Sequence, residues 1–274
     1  MTPGLPWAVQ PVRVSADWLA LREPADAAAR SLDLVQEVGR LLPTSGRVIV
    51  CDLGCGSGSM GRWLSPRLPG EQHWIMVDRD PELLAVAAAG MPTTVTVETR
   101  QRDITRLDPA ELTGASLITA SALLDMFTLD ELDRFVTTCA GPGCPVLVTI
   151  SVVGRVEFDP VDPLDLLIAD GFNAHQRRTL GGRRLLGPDA VEVAREAFAE
   201  RGAEVLVRPS PWRLGADAAA LATEWFAGWV AAACEERPEL TARAAPYARR
   251  RMADAAAGRL GVTVHHVDLL ARPR

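Results

Sequence analysis

Hydrophobic positions along the chain switch repeatedly between helical and strand spacing. From Asp26 to Leu42, the apolar residues Leu34, Val35, Val38, Leu41 and Leu42 form a helical stripe closed by Pro43. Arg47 to Leu53 (RVIVCDL) is a short β-branched run that reads as a strand buried on both faces, and it opens into a glycine-rich turn. A helix is predicted over Ser59 to Leu68, then a strand over Trp74 to Val77 that ends at Asp78. Asp80-Pro81 supplies an N-cap and first helical position for Glu82 to Ala89. Val95 and Val97 alternate with Thr94, Thr96 and Glu98 in a third strand leading to Asp103, and Ser116 to Ala120 reads as the fourth. Thr128 and Glu131 are spaced as a capping box before a helix whose apolar face is Leu132, Phe135, Val136 and Cys139. Val146 to Val153 is the fifth strand. Strand–helix units in series predict a parallel, doubly wound α/β sheet with right-handed crossovers.

Two segments interrupt that rhythm. Arg155 to Gly187 is polar and reads as loop-rich; the helix Pro188 to Arg201 and the strand Glu204 to Arg208 then restore the pattern. A second, helical excursion spans Gly215 to Gly258, and Val262 to Leu269 closes the chain as an alternating strand. The expected architecture is a single domain over 1–274, with a core over about 26–154, 188–210 and 260–271. Insertions over about 155–187 and 213–258 are expected to form a substrate lid.

Composition narrows the chemistry. All 29 basic residues are arginine. A chain without lysine has no lysine Schiff base, no P-loop lysine and no tyrosine–lysine dehydrogenase pair. The net charge of −6 argues against a dedicated nucleic-acid binder, since such affinity comes from neutralising phosphates. The N-terminus lacks the charged-then-apolar order of a signal peptide, and Ala218 to Cys234 is too polar to span a bilayer. Five scattered cysteines and four scattered histidines fit a reducing cytoplasm and predict no metal site.

The sequence CDLGCGSGSMG, Cys51 to Gly61, lies between a predicted strand and a predicted helix. Glycines at such a turn let the backbone bend sharply and approach a ligand. Gly56, Gly58 and Gly61 also satisfy the dinucleotide fingerprint, so the glycines alone leave the cofactor open. Three acids narrow it. Asp52 can hold an ammonium, Asp78 can accept from both ribose hydroxyls, and Asp103 can accept from an adenine amino group, with Ile104 giving backbone contact to the ring. A ligand carrying a cationic amino acid, a ribose and an adenine satisfies all three.

These segments, VIVCDLGCGSG, IMVD, RDI and TASALLDM, resemble the class I, seven-stranded S-adenosylmethionine-dependent methyltransferases over roughly Arg47 to Val153. The resemblance implies a mostly parallel, Rossmann-like seven-stranded sheet ending in an antiparallel strand. It implies that Gly54, Gly56 and Gly58 line the methionine moiety, that Asp78 binds the ribose and that Asp103 faces the adenine. Ala120 and Ser121 present backbone at the sulfonium, and Arg79 and Cys55 join the cofactor-binding set, Cys55 as packing rather than as a nucleophile. An N-terminal segment covers the cofactor in such proteins, which makes Arg22 a candidate for its carboxylate. The alternatives are an NAD(P)-dependent oxidoreductase and a catalytically inactive copy of the fold serving as a binding module.

For the methyl acceptor, Asp125 lies four residues after Ser121, either as a general base or as a cap or solvated charge at a helix start. In the first excursion His175 can act as a base near neutral pH. Asn173, Arg177 and Arg178 could bind a carboxylate or phosphate, or the arginines could pair with Glu157, Asp159, Asp162 and Asp165. Leu221, Trp225 and Trp229 share a helical face, with Trp225 as a substrate contact if that stripe is not simply core. His265 and His266, adjacent on the last strand, point to opposite faces and receive no role. The expected acceptor is a small molecule.

Overall fold

The computed structural model describes residues 14–273. Its elements run α1 (Ala16–Ala29), α2 (Leu32–Leu41), β1 (Val48–Leu53), α3 (Ser59–Leu64), β2 (Gln72–Asp78), α4 (Pro81–Gly90), β3 (Thr96–Gln101), β4 (Leu117–Ser121), α5 (Leu129–Ala140) and β5 (Val146–Asp159). There follow α6 (Asp165–Gln176), a small hairpin of β6 (Thr179–Leu180) and β7 (Arg183–Arg184), α7 (Ala190–Glu200), β8 (Glu204–Pro209) and β9 (Trp212–Leu214). The chain closes with α8 (Ala219–Glu236), α9 (Thr241–Ala256) and β10 (Gly261–Arg272).

The main sheet has the order β3-β2-β1-β4-β5-β10-β8. Strands β1 to β5 are mutually parallel, and β10 is antiparallel to both β5 and β8. This is the expected seven-stranded, mostly parallel sheet with a final antiparallel strand. An eighth strand, β9, adds to the far half of β10. Strand order reverses between β1 and β4, which opens a crevice at their carboxyl ends.

One core packs Phe127, Phe135, Val136 and Phe198 against one sheet face, and another packs Leu34, Val38, Leu64 and Met76 against the opposite face. A third core, with Phe158, Ile168, Trp212, Phe226, Trp229 and Tyr247, joins the two insertions to the extended ends of β5 and β10. Buried Arg251 of α9 fastens that layer. Its Nη2 donates to both oxygens of Asp165 at 2.7 and 2.6 Å, and its Nη1 donates to the Pro160 carbonyl at 2.5 Å.

Beyond shifted ends, such as α3 stopping at Leu64 and β3 starting at Thr96, three elements differ from the sequence expectation. The helix expected over Asp26 to Leu42 is two helices: Arg30 has extended ψ, and Ser31 caps α2 by accepting from Leu34 N at 3.3 Å. Strand β5 does not stop at Val153 but runs to Asp159, because Val156 and Phe158 alternate with Arg155 and Glu157 and pair with β10. The first excursion, read as loop, holds helix α6.

Strand β5 is irregular in two places. Val267 and Leu269 of β10 face Ser151 and Val148, which leaves an extra β5 residue, and Ile150 there has φ 54°. The N–H displaced from the ladder at Ile150 donates to Asp268 Oδ1 at 2.8 Å. The other oxygen of Asp268 accepts from Ser31 N at 2.7 Å, so one buried carboxylate ties the bulge to the break between α1 and α2. The second irregularity lies between Val264 and His266, opposite Gly154 at φ 72°. Among the described residues no helix is long and apolar enough to cross a membrane.

Candidate functional site

A cleft of about 360 Å3 lies at the carboxyl ends of β1, β2 and β4. The turn after β1 places Gly54, Gly56 and Gly58 at φ 66°, 53° and 87°, where a side chain would be strained. Gly54 N and Cys55 N donate to the Val77 carbonyl at 2.8 and 3.0 Å, folding the turn over β2. Asp78 fixes the next step: its Oδ2 accepts from Gly56 N and its Oδ1 from Asp80 N, both at 2.9 Å.

Asp52 and Arg30 set the charge at one end of this cleft. Asp52 is 1% exposed, and its Oδ1 accepts from Thr119 Oγ1 at 2.7 Å while Oδ2 has no partner. Burial pushes its carboxyl up to about 6, against the lowering effects of the Thr119 hydrogen bond and of Arg30. Arg30 is 4% exposed and holds Ser59 Oγ and Ser121 Oγ through Nη2, both at 3.2 Å. Its Nε and Nη1 have no partner. The cleft wall therefore presents a buried acceptor beside buried donors, the pattern that receives an ammonium and a carboxylate on one ligand. Asp78 stands on the same wall. Asp103 and Ile104 lie further along it, with Asp103 Oδ1 already accepting from Thr105 N at 3.0 Å and Thr105 Oγ1 at 2.8 Å.

A second cavity of about 260 Å3 adjoins the first. Trp18, Arg22, Ala122 and Asp125 belong to both walls. Where β4 and β5 meet this junction, Ala122 at φ 53° and Ile150 at φ 54° are left-handed without being glycine, and strain of this kind concentrates at binding sites. Asp125 is half-buried, and desolvation raises its carboxyl to about 6 against its own backbone hydrogen bond and the fields of Arg22 and Arg178.

Of the residues singled out in the sequence, Asp52, Gly54, Cys55, Gly56, Asp78, Arg79, Asp103, Ile104 and Ser121 line the cleft, and Asn173 and Trp225 line the second cavity. Burial holds the Cys55 thiol well above its ordinary value, so it stays protonated. Several others stand elsewhere. Ala120 is fully buried behind the wall, and its neighbour Ala122 takes the position at the junction. Gly58 is absent from the wall. A Cβ there would lie 3.0 Å from Ala87 Cα, and one at Gly61 would lie 2.7 Å from Met91 Sδ, so both glycines serve helix packing. Arg22 reaches the junction, but it is bound bidentately to Asp26 at 3.0 and 3.1 Å over the Trp212 ring, which leaves Arg30 as the buried cation with open donors.

His175, Arg177 and Arg178 are on neither wall. His175 lies 3.4 Å from Glu235 of α8, and burial together with Arg178 pushes its pKa down. Arg177 forks onto Asp189 at 2.6 Å through two nitrogens, and Arg178 donates to the His175 carbonyl at 2.9 Å. These arginines therefore find neither an open anion site nor the acids expected from sequence, because the end of α6 turns Arg177 onto Asp189 and Arg178 back onto His175. Sequence reasoning missed Arg30, Ala122, Gln176 and His266. His265 and His266 both line the second cavity, where three β5 residues around Gly154 stand opposite the single β10 residue between Val264 and His266. Among the described residues no group of three or more histidine, cysteine or acidic side chains is placed to hold a metal ion.

Residues 50–141 match a family model described as a methyltransferase domain. Comparison with curated protein sequences gives no match. Among solved structures, the mycolic acid cyclopropane synthase CmaA1 complexed with SAH and CTAB is similar at a TM-score of 0.51 and 13% identity, covering 93% of this chain and 94% of that one. The cyclopropane synthase MmaA2 from Mycobacterium tuberculosis is similar at a TM-score of 0.52 and 16% identity, covering 94% and 95%. At these identities the likeness is one of fold.

Proposed function

The chain carries the methyltransferase domain of the class I, S-adenosylmethionine-dependent kind over residues 50–141, and on that premise we propose that it methylates an oxygen or nitrogen of a small molecule held in the second cavity. One observation carries this reading: Asp125 lies on the walls of both cavities, where a proton acceptor would meet an acceptor molecule beside the methyl donor. The domain match favours methyl transfer over the NAD(P)-dependent oxidoreductase.

The residues present fit S-adenosylmethionine. Asp52 Oδ2 would take its ammonium, Arg30 Nε and Nη1 its carboxylate, Asp78 its ribose hydroxyls, and Asp103 with Ile104 the adenine end. When bound, the cofactor supplies a methyl group on a sulfonium, whose leaving group is already activated. The protein's own work is to orient the acceptor, exclude water and hold a proton acceptor in place. With its carboxyl near 6, Asp125 is largely ionised at neutral pH and is a stronger base than an exposed aspartate.

S-adenosylhomocysteine at about 100 times its Kd should stabilise the protein by about 2.7 kcal/mol, seen as a rise in Tm that NAD does not produce. Stabilisation by NAD alone would reverse the cofactor reading. For the acceptor, methyl-labelled S-adenosylmethionine is incubated with the protein and a cell extract, which is then divided by ultrafiltration. Label is expected in the low-molecular-mass filtrate. Label confined to retained protein or nucleic acid defeats the small-molecule reading.

The Asp52 carboxylate also makes cofactor affinity depend on pH. Its carboxyl titrates at about 6 in the free protein, and only the ionised form attracts an ammonium. Below about pH 6 the Kd for S-adenosylhomocysteine should therefore weaken by up to about tenfold per pH unit. Asp52→Asn should bind weakly at every pH and remove the slope. Calorimetric titration across pH 5 to 8 (about the range a folded protein tolerates) reads both, and a wild-type Kd flat through that range would take Asp52 out of the ammonium site.

A further inference from the structure

The second cavity carries more information than its position. Trp225 and Trp229 stack along its wall with centroids 5.6 Å apart and planes at 22°, and Phe172 meets Trp229 at 6.4 Å. Trp18 and Trp212 complete an aromatic lining. Flat faces of this kind favour a flat ligand, because offset stacking adds to simple burial of apolar area.

The same wall holds buried polar atoms with no partner: Trp229 Nε1, Asn173 Oδ1, Gln176 Oε1 and His266 Nδ1. Trp229 is 1% exposed and His266 4% exposed, so water does not satisfy them freely. Asn173 is held by its other arm, Nδ2 donating to the Gly154 carbonyl at 2.7 Å, which leaves the amide oxygen for a ligand. Burial and the nearby Arg22 push His266 down to about 3, so its ring is neutral.

Charge points the same way. Arg22 is consumed by Asp26, and Arg155 by Glu157. Asp125 has no ion-pair partner among the described residues and is the net charge left on the wall. Of the unpaired buried atoms two amide oxygens accept, the Trp229 indole N–H donates and the neutral His266 ring can do either, and the Asp125 carboxylate adds a further acceptor. Such a wall rewards a donor-rich ligand and repels an anion. At about 260 Å3 the cavity lies below the common range of about 300–1,000 Å3 for small-molecule sites, which favours a compact ligand over a long acyl chain.

We propose that the acceptor is a compact, planar aromatic or heteroaromatic molecule, uncharged and bearing phenolic or amino hydrogen-bond donors. Its ring stacks on Trp225, which Trp229 backs, and the O–H or N–H that is methylated faces Asp125. This rests on the methyl-transfer reading above, and it replaces the anionic acceptor that the arginine cluster suggested from sequence.

The test uses the full chain saturated with S-adenosylhomocysteine and calorimetric binding of four probes: dihydroxynaphthalene, naphthoate, decahydronaphthol and cyclohexylamine. Dihydroxynaphthalene is expected to bind about tenfold or more tightly than each of the others. Trp225→Leu and Gln176→Leu should each weaken it about tenfold. Both variants should keep wild-type affinity for S-adenosylhomocysteine, since neither residue lines the cofactor cleft, and that titration shows that they fold. The proposal is overturned if naphthoate, decahydronaphthol or cyclohexylamine binds as tightly as the phenol, if no phenol binding is detected, or if both variants bind it like wild type. Failure of S-adenosylhomocysteine itself to bind would instead overturn the methyl-transfer reading, so the two failures are separable.

Discussion

Asp125→Asn should lower kcat by about 10²–10⁴-fold, the usual contribution of a positioned general base, with little change in the Kd for S-adenosylhomocysteine. Asparagine keeps the shape of the side chain at the junction but cannot take a proton. The pH profile separates this role from a structural one. Burial places the Asp125 carboxyl at about 6, so wild-type kcat should fall about tenfold per unit as pH drops below that value. The asparagine variant should lose this limb. A variant that retains wild-type kcat would mean that the nucleophile arrives already deprotonated, and Asp125 would then only shape the cavity.

Asp268→Ala is expected to have the largest effect on stability, about 3–5 kcal/mol, from two charge-assisted hydrogen bonds and the buried donors left behind. Asp268 accepts from Ser31 N at 2.7 Å and Ile150 N at 2.8 Å. One of these donors begins α2 beside Arg30, and the other belongs to the left-handed residue at the cavity floor. Loss of the carboxylate should therefore loosen both cavities as well as the sheet. Denaturant unfolding reads the stability, and the Kd for S-adenosylhomocysteine should weaken in parallel. Asp268→Asn, which keeps one acceptor, should fall between. A loss below about 1 kcal/mol for the alanine variant would mean that water replaces the carboxylate at both donors.

Much of the core fold could be read from local pattern. The apolar run 47–53, the Asp80-Pro81 start of α4 and the capping box of Thr128 and Glu131 all form where expected, the last with Thr128 N on Glu131 Oε2 at 3.0 Å. Each depends on residues within a few positions of one another. The misread elements depend on distant partners. Strand β5 continues to Asp159 because β10 pairs with it, and α1 and α2 separate where Asp268, 237 residues beyond Ser31, captures the Ser31 amide.

The candidate site divides in the same way. The cleft proposed for the cofactor was largely visible in sequence because strand, turn and acid are contiguous, and Asp52, Gly54, Gly56 and Asp78 stand together once β1 and β2 pair. Arg30 was not visible, since one arginine among 29 carries no local mark. Its importance arises from burial against Ser59 and Ser121 with two nitrogens unsatisfied. The arginine cluster after α6 looked like an anion site by spacing, but helix geometry turned it onto Asp189 and its own backbone.

The sequence by itself determined the parallel half of the sheet, the glycine turn, the acids beside it and hence the class of chemistry, because these are encoded by residues adjacent in the chain. The tertiary structure decided the cavity proposed for the acceptor. Its wall draws on α1, the β5 bulges, α6, α8 and β10, and its character comes from which polar atoms remain unpaired after those elements pack. That balance of satisfied and unsatisfied groups is a property of packing, and no stretch of sequence contains it.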